Sequence, residues 1–171
     1  MPPMAAPAKT KKPPDVVAEI ALGDLAATKR LGAALARVLE RGDVVALSGE
    51  LGAGKTELAR AILAALGHLG EVPSPTFTLM QTYATDKGEI AHVDGFRLKA
   101  PEEARELGLE EAGERGVLLI EWPERLGALL PPEHLSIALL PGANETARRA
   151  VISARGANAK EKARLIAGAF A

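Results

Sequence analysis

The sequence predicts a three-layer α/β domain with a mixed, mainly parallel central sheet. Short apolar runs typical of strands alternate with longer segments whose apolar residues recur at helical spacing. Residues 116–121 contain four consecutive apolar residues, typical of a strand that is buried on both faces and lies inside the sheet. Another apolar run, 44–48, leads into a glycine-rich turn and then a helical pattern, a connection typical of such sheets.

The first half of the chain alternates strand and helix patterns. Residues 16–22 predict a strand. Asp24 is a typical helix N-cap, and the apolar spacing after it predicts a helix that ends near Gly42. Residues 44–48 then predict a strand and residues 55–66 a second helix.

The segment from Val72 to Tyr83 starts with prolines, which favour extended chain. Its hydroxyl residues Ser74, Thr76 and Thr78 alternate, so they lie on one side of an extended segment. Two interpretations stay open. The segment is either an edge strand or a loop that places a hydroxyl such as that of Thr76 near a γ-phosphate and Mg²⁺, as switch segments do.

The second half continues these patterns and ends in a hairpin plus a helix. In order, we expect a turn over 86–89, a strand over 89–94, an acidic helix over 101–111 that Gly113 ends, a strand over 116–121, a short helix over 124–130, strands over 134–140 and 147–154, and a helix over 158–170 capped by Asn158. The last two strands can pair as a hairpin across residues 141–146.

The composition limits the possible functions. A chain of 171 residues has the length of one domain, and we expect a disordered tail over 1–14 before a domain over 15–171. Hydrophobic residues make up 47% but aromatic residues only 3%, so the core must be aliphatic. The formal net charge of −1 gives the chain no overall basic field, so the net charge does not imply affinity for nucleic acid. No apolar run is long enough to span a membrane, so we expect a cytoplasmic protein.

Two residue types carry little catalytic signal. Cysteine is absent, which excludes disulfides, thiolate metal sites and cysteine nucleophiles. The histidines His68, His92 and His134 lie far apart without metal-ligand spacing. We therefore expect each histidine to be structural or exposed.

The strongest motif is Gly49–Thr56, which reads G-E-L-G-A-G-K-T and matches the phosphate-binding loop signature. Its glycines let backbone N–H groups turn toward phosphate oxygens, and the helix that follows directs the positive end of its dipole at the same anion. Lys55 can reach the β- and γ-phosphates, and the Thr56 hydroxyl can hold Mg²⁺. The motif predicts a P-loop NTPase-like domain with these nucleotide-binding candidates: Gly49, Glu50, Leu51, Gly52, Ala53, Gly54, Lys55 and Thr56.

Asp94 and Glu121 each end an apolar strand pattern. Open α/β sheets bind ligands beyond the carboxyl ends of their strands, so these acids can complete a Mg²⁺ site with Thr56. One can bind Mg²⁺ directly or through water, while the other orients or activates the attacking water. The sequence leaves open which acid does which. Together with Lys55 they are the catalytic candidates.

Other residues near these strand ends allow more than one interpretation. Trp122, the only tryptophan, follows Glu121 and is either a wall of the site, a partner contact or a core residue. Arg97 and Arg125 follow the two strand ends and either stabilise phosphate charge or form surface ion pairs.

Five blocks together resemble the TsaE (YjeE) family, small bacterial ATPases of tRNA threonylcarbamoyladenosine biosynthesis. The blocks occur in the family's order and spacing: Gly49–Thr56, Ser74–Leu79, His92–Leu98, Glu106–Glu110 and Ile120–Arg125. The resemblance covers about residues 24 to 140. One departure is Gly95, which stands where relatives usually have a bulky residue between the aspartate and the aromatic residue.

The resemblance implies a protein that binds ATP with Mg²⁺, hydrolyses it slowly and works with the TsaB and TsaD proteins. It implies contact with tRNA only through them, and no membrane. It places Asp94 at a Walker B-like acid, Glu121 at a Mg²⁺-associated glutamate and Trp122 at the tryptophan after it. Thr76 falls in the switch-like segment and joins the nucleotide-binding candidates with Trp122.

Two other function classes share the phosphate-binding loop. A small-molecule kinase generally has an arginine-rich lid, whereas the adjacent Arg148 and Arg149 fall in a predicted strand. A nucleotide-gated adaptor would bind ATP without releasing phosphate. The fate of the γ-phosphate separates these classes from a slow ATPase.

Overall fold

The computed structural model describes residues 14–73 and 79–170. In these ranges seven strands form one sheet: β1 (Asp15–Leu22), β2 (Val44–Ser48), β3 (Met80–Thr85), β4 (Gly88–Asp94), β5 (Gly116–Glu121), β6 (His134–Pro141) and β7 (Arg148–Arg155). The helices are α1 (Leu25–Val38), α2 (Lys55–Ala65), α3 (Glu103–Glu106), α4 (Leu109–Arg115), a 3₁₀ helix (Pro123–Leu129) and α5 (Ala157–Gly168). No helix in the described ranges combines the length and the apolar character needed to cross a bilayer.

The strands lie in the order β1-β7-β6-β2-β5-β4-β3. The central strands β6, β2, β5 and β4 are parallel neighbours, β3 is antiparallel to β4, and β7 is antiparallel to both β6 and β1. Strand β1 therefore runs in the same direction as the central four. This confirms the predicted mixed, mainly parallel sheet and the hairpin of β6 and β7 that precedes a helix.

Helices cover both faces of the sheet, which gives the predicted three layers. Helices α1, α2 and α5 share one hydrophobic core with the first face, and α3, α4 and the 3₁₀ helix share a second core with the opposite face. The largest fully buried side chains of the described ranges are Leu and Ile, as expected for an aliphatic core. All six residues of β5 are buried between β2 and β4, which confirms the predicted interior strand.

Helix α1 ends earlier than expected. It stops at Val38 rather than near Gly42, because the backbone of Leu39 turns to an extended conformation with ψ of 138°. Just beyond it, the Asp43 carboxylate accepts the N–H of Glu40 at 2.7 Å, which holds these residues in a turn. A side chain outside the helical pattern therefore sets this boundary.

The predicted cap of the last helix is wrong. Gly156 is the N-cap of α5, and Asn158 lies within the first turn of the helix. The Asn158 side-chain amide donates to Asp43 Oδ1 at 3.4 Å, and Lys162 of the same helix forms an ion pair with Asp43. These tertiary contacts use the polar group that the sequence pattern assigned to capping.

The acidic segment after β4 is not one continuous helix. It forms α3 and α4, which are separated at Gly108, where the backbone is left-handed with φ of +68°. Gly113 does not end the segment either, since it lies inside α4, where a Cβ would stand 3.5 Å from Leu118 of β5.

The turn expected over 86–89 is confirmed by the link between β3 and β4. Ser74, Thr76 and Thr78 lie outside the described residues, so both interpretations of that segment stay predictions. Residues 1–13, most of the expected tail, also lie outside the described ranges.

Candidate functional site

The glycine-rich loop joins the end of β2 to the start of α2. The backbone is left-handed at Gly54, the N-cap of α2, and no side chain in the described part of the chain caps the helix. The first N–H groups of α2 are therefore available to an anion at the helix terminus. The helix begins at Lys55, so the structure has the strand, glycine loop and helix that the sequence pattern predicts.

Lys55 lies at the centre of this loop and is only 5% exposed. Its Nζ donates to the carbonyls of Gly49 at 2.6 Å and Glu50 at 2.8 Å, and lies 4.2 Å from the centroid of the Trp122 ring. Burial lowers the pKa of Lys55 from its ordinary value, while the nearby carboxylates of Glu121 and others oppose that shift. A partly desolvated ammonium group with mobile donors is a strong partner for a phosphate oxygen.

Glu121 lies next to the start of α2. Its Oε1 accepts the Thr56 hydroxyl at 2.9 Å, and its Oε2 lies 2.5 Å from Nε2 of His92. A carboxylate can only accept hydrogen bonds, so the ring hydrogen lies on Nε2. His92 is fully buried, and none of the described residues forms a hydrogen bond with its Nδ1.

Asp94 is the neighbour of Glu121 across the sheet. The two residues are paired in register at the carboxyl ends of β4 and β5, and both are at least 95% buried. The Asp94 Oδ1 accepts the N–H of Phe96 at 2.9 Å. Both carboxylates line a cleft of about 320 Å³ together with Lys55 and Thr56.

Trp122 forms the wall between this cleft and a second cavity, since it lines both. It adopts a left-handed backbone conformation with φ of +55°, and its ring packs against Phe96 at a centroid distance of 4.9 Å. Gly95 makes this packing possible. Its N–H donates to the carbonyl of Glu121 at 2.9 Å, and a Cβ on it would stand 2.5 Å from the Trp122 carbonyl oxygen.

The second cavity has a volume of about 650 Å³ and lies between the glycine loop and the turn that joins β6 to β7. Its walls are largely apolar, with Trp122, Leu139 and Pro141, and its polar groups come from Asn144 and Arg148 among others. This size and lining are typical of small-molecule sites. This cavity could not be predicted from the sequence patterns. The turn between β6 and β7 lies near the glycine loop because of the order of the strands in the sheet, which the patterns do not determine.

The structure brings most of the expected site residues together. Thr76 lies outside the described residues. Arg97 and Arg125 are exposed and line neither the cleft nor the second cavity, and Arg125 lies 5.9 Å from the Phe96 ring instead. The cleft and cavity gather these expected residues: Gly49, Glu50, Leu51, Gly52, Ala53, Gly54, Lys55, Thr56, Asp94, Glu121 and Trp122.

His92 is the site residue that the sequence interpretation assigned only a structural role. Its signal was its position two residues before Asp94, which puts both side chains on the same face of one strand. The other histidines lie elsewhere. His134 is bonded to the Pro131 carbonyl and burial lowers its pKa, and the His68 ring packs against Tyr83.

Comparisons with known proteins agree on one family. Residues 22–151 match the family described as "Threonylcarbamoyl adenosine biosynthesis protein TsaE". The chain is 46% identical over 113 residues to the tRNA threonylcarbamoyladenosine biosynthesis protein TsaE of Rickettsia felis, a match that covers 66% of each chain, slightly under two thirds of that protein. It is 40% identical over 114 residues to the protein of the same name from Haemophilus influenzae, covering 63% of this chain and 72% of the relative.

A solved structure extends the likeness to the whole fold. The crystal structure of Bacillus subtilis YdiB superposes with a TM-score of 0.76 at 26% identity. The superposition covers 92% of this chain and 98% of YdiB.

Proposed function

The chain belongs to the TsaE family of threonylcarbamoyl adenosine biosynthesis proteins, and we propose that it supports this tRNA modification as a Mg²⁺-dependent, slow ATPase. The observation that carries the proposal is the buried Lys55 ammonium beside a Thr56–Glu121 hydrogen bond. The Lys55 ammonium suits the phosphates, and the oxygens of Thr56 and Glu121 suit a divalent cation.

In this proposal, ATP spans the two cavities. The glycine loop and the start of α2 bind the phosphates, and Lys55 exchanges its bonds to the Gly49 and Glu50 carbonyls for phosphate oxygens. The larger cavity beside Trp122 receives the nucleoside, for which its volume of about 650 Å³ is sufficient.

Mg²⁺ would be held by Thr56 together with Glu121 and Asp94, and would neutralise charge that develops on the phosphates. Among the described residues, no cluster of three His, Asp or Glu side chains could hold a metal alone. This suits Mg²⁺, which commonly takes one or two carboxylates plus phosphate oxygens and water. The Thr56–Glu121 hydrogen bond supports Glu121 as the direct ligand of Mg²⁺ in this proposal, and Asp94 would bind the ion through a water molecule that it also orients.

The partners in this proposal are the TsaB and TsaD proteins, with tRNA bound through them. The net charge of −1 suits a protein that does not hold tRNA by itself. Hydrolysis would then reset the assembled complex between turnovers.

The arginines argue against the kinase alternative. Arg148 is bonded to the carbonyls of Gly52 and Ala53, and Arg149 pairs with Glu19. Neither side chain is positioned as part of a lid that closes over a bound phosphate acceptor.

The test is phosphate release from ATP by the full chain, with and without TsaB and TsaD. We expect slow release that requires Mg²⁺, and loss of about 100-fold in ATP affinity in Lys55→Ala, because charged hydrogen bonds to phosphate disappear. Lys29→Ala, which removes an exposed lysine of α1, is the matched control and should behave as wild type.

ATP binding without any phosphate release in the complete complex would favour the adaptor alternative. Transfer of phosphate to a small molecule would favour a kinase.

A further inference from the structure

Arg148 connects the turn between β6 and β7 to the glycine loop. Its Nε donates to the Ala53 carbonyl at 3.1 Å and its Nη2 to the Gly52 carbonyl at 3.3 Å. Its Nη1 donates to the carbonyls of Glu145 at 2.7 Å and Ala147 at 2.8 Å. One guanidinium group thus binds carbonyls of two segments that are almost one hundred residues apart in the sequence.

These contacts determine how one peptide of the loop is oriented. A trans peptide is planar, so its C=O and N–H groups point in opposite directions. The Ala53 carbonyl, which Arg148 binds, shares its peptide with the N–H of Gly54. That N–H therefore points away from Arg148. Arg148 lines the larger cavity, whereas Gly54 lines the cleft with Lys55 and Thr56.

We propose that Arg148 is a positioning residue for phosphate binding, which holds the glycine loop with the Gly54 N–H directed into the cleft. The proposal rests on the proposed nucleotide-binding function and adds a residue to it. Arginine suits this task because its planar fork offers five donors in fixed directions and keeps its charge at any relevant pH. Four of those donors already bind carbonyls of the protein.

The same contacts argue against Arg148 as a direct ligand of the nucleoside. Only one of its five N–H donors remains for a ligand. To use any other donor, the side chain would have to release a carbonyl of the loop or of the turn. A positioning residue instead acts on every ligand that uses the loop, whether or not the ligand carries a base.

The experiment compares ATP with inorganic tripolyphosphate, which lacks the base and ribose, on the full chain. In Arg148→Gln we expect the affinity for both ligands to fall by a similar factor of about tenfold, the effect of losing one or two hydrogen bonds that organise the loop. Arg148→Lys keeps the charge and the aliphatic stem but lacks the fork, so it should fold as wild type and show most of the same loss. The matched control is Arg149→Gln, since Arg149 is exposed and bonded to Glu19, away from the loop. It should bind both ligands as wild type does.

A second readout separates positioning from general stability. The amide chemical shift of Gly54 should change in both Arg148 variants and stay unchanged in Arg149→Gln, when all are measured well below their unfolding temperatures. The inference is overturned if both Arg148 variants bind tripolyphosphate with the affinity of wild type. If their ATP affinity falls while their tripolyphosphate affinity does not, Arg148 is instead a contact of the nucleoside. Failure of wild type to bind either ligand would instead contradict the proposed function.

Discussion

Glu121 is the residue at which the polar contacts of the cleft meet. One carboxylate oxygen accepts the Thr56 hydroxyl and the other binds His92, so its position is fixed from helix α2 and from strand β4 at once. Asp94 lies beside it in register, which puts two buried negative charges next to the Lys55 ammonium. Burying these charges costs free energy of folding, and ionisable groups kept at such a cost cluster at functional sites, which is why we interpret the arrangement as a site.

Replacing either carboxylate by its amide tests this interpretation. Glu121→Gln and Asp94→Asn keep the size of each side chain but remove a charge that we expect to act on Mg²⁺ or water. Each should lower phosphate release in the complete complex by about 100-fold or more while the unfolding temperature changes little. Full turnover in both variants would show that the strand-end carboxylates have no catalytic part.

His92 should act on the reaction only through Glu121. Replacing it with Phe removes the donor to Oε2, and we expect activity or Mg²⁺ affinity to fall by roughly 10- to 100-fold, as for other residues that orient a metal ligand. His92→Gln retains an N–H donor and should recover part of that loss. Titration of phosphate release with Mg²⁺ measures both variants. Equal loss in the Phe and Gln variants would mean that the histidine only fills space.

At the scale of elements, the site depends on the close approach of two strand ends. Strands β4 and β5 finish side by side, and the chain then leaves β4 through Gly95 and β5 through Trp122. The Trp122 ring, at the start of the chain that leaves β5, lies 4.2 Å from the Lys55 ammonium. The two backbones approach so closely that a Cβ on Gly95 would stand 2.5 Å from the Trp122 carbonyl oxygen, which explains the glycine at this position.

Gly95→Ala should disturb both folding and function. The added Cβ would stand 2.5 Å from the Trp122 carbonyl oxygen, so the strand ends must move apart. We expect a loss of about 1–3 kcal/mol in the free energy of unfolding, typical of overpacking, together with weaker ATP binding. Gly23→Ala is the matched control, since a Cβ there would meet none of the described residues within 4 Å. Chemical denaturation of both variants measures the difference, and equal stability would contradict the packing argument.

At the scale of the whole molecule, the sequence patterns predicted those features that depend on residues close together in the sequence. The glycine loop, the interior strand β5 and the carboxylates at two strand ends follow from spacing within a few residues. The start of α5 could not be predicted, because Asn158 bonds to Asp43, a residue distant in sequence, instead of capping the helix. The end of α1 was missed for a different reason, since the Asp43 carboxylate holds a turn with Glu40 just beyond the helix, where the pattern still favours helix. The contact of Arg148 with the glycine loop could not be predicted either, because β7 lies near the loop only through the order of strands in the sheet.

The most direct test of the account is calorimetric titration of the full chain with ATP in the presence of Mg²⁺. We predict saturable binding of one nucleotide per chain. This binding should disappear when Mg²⁺ is chelated, and it should be much weaker in Lys55→Ala. The same titration should raise the unfolding temperature of wild type, because a ligand that binds only the folded state stabilises it. A folded wild-type chain that shows neither binding nor stabilisation would contradict the central claim.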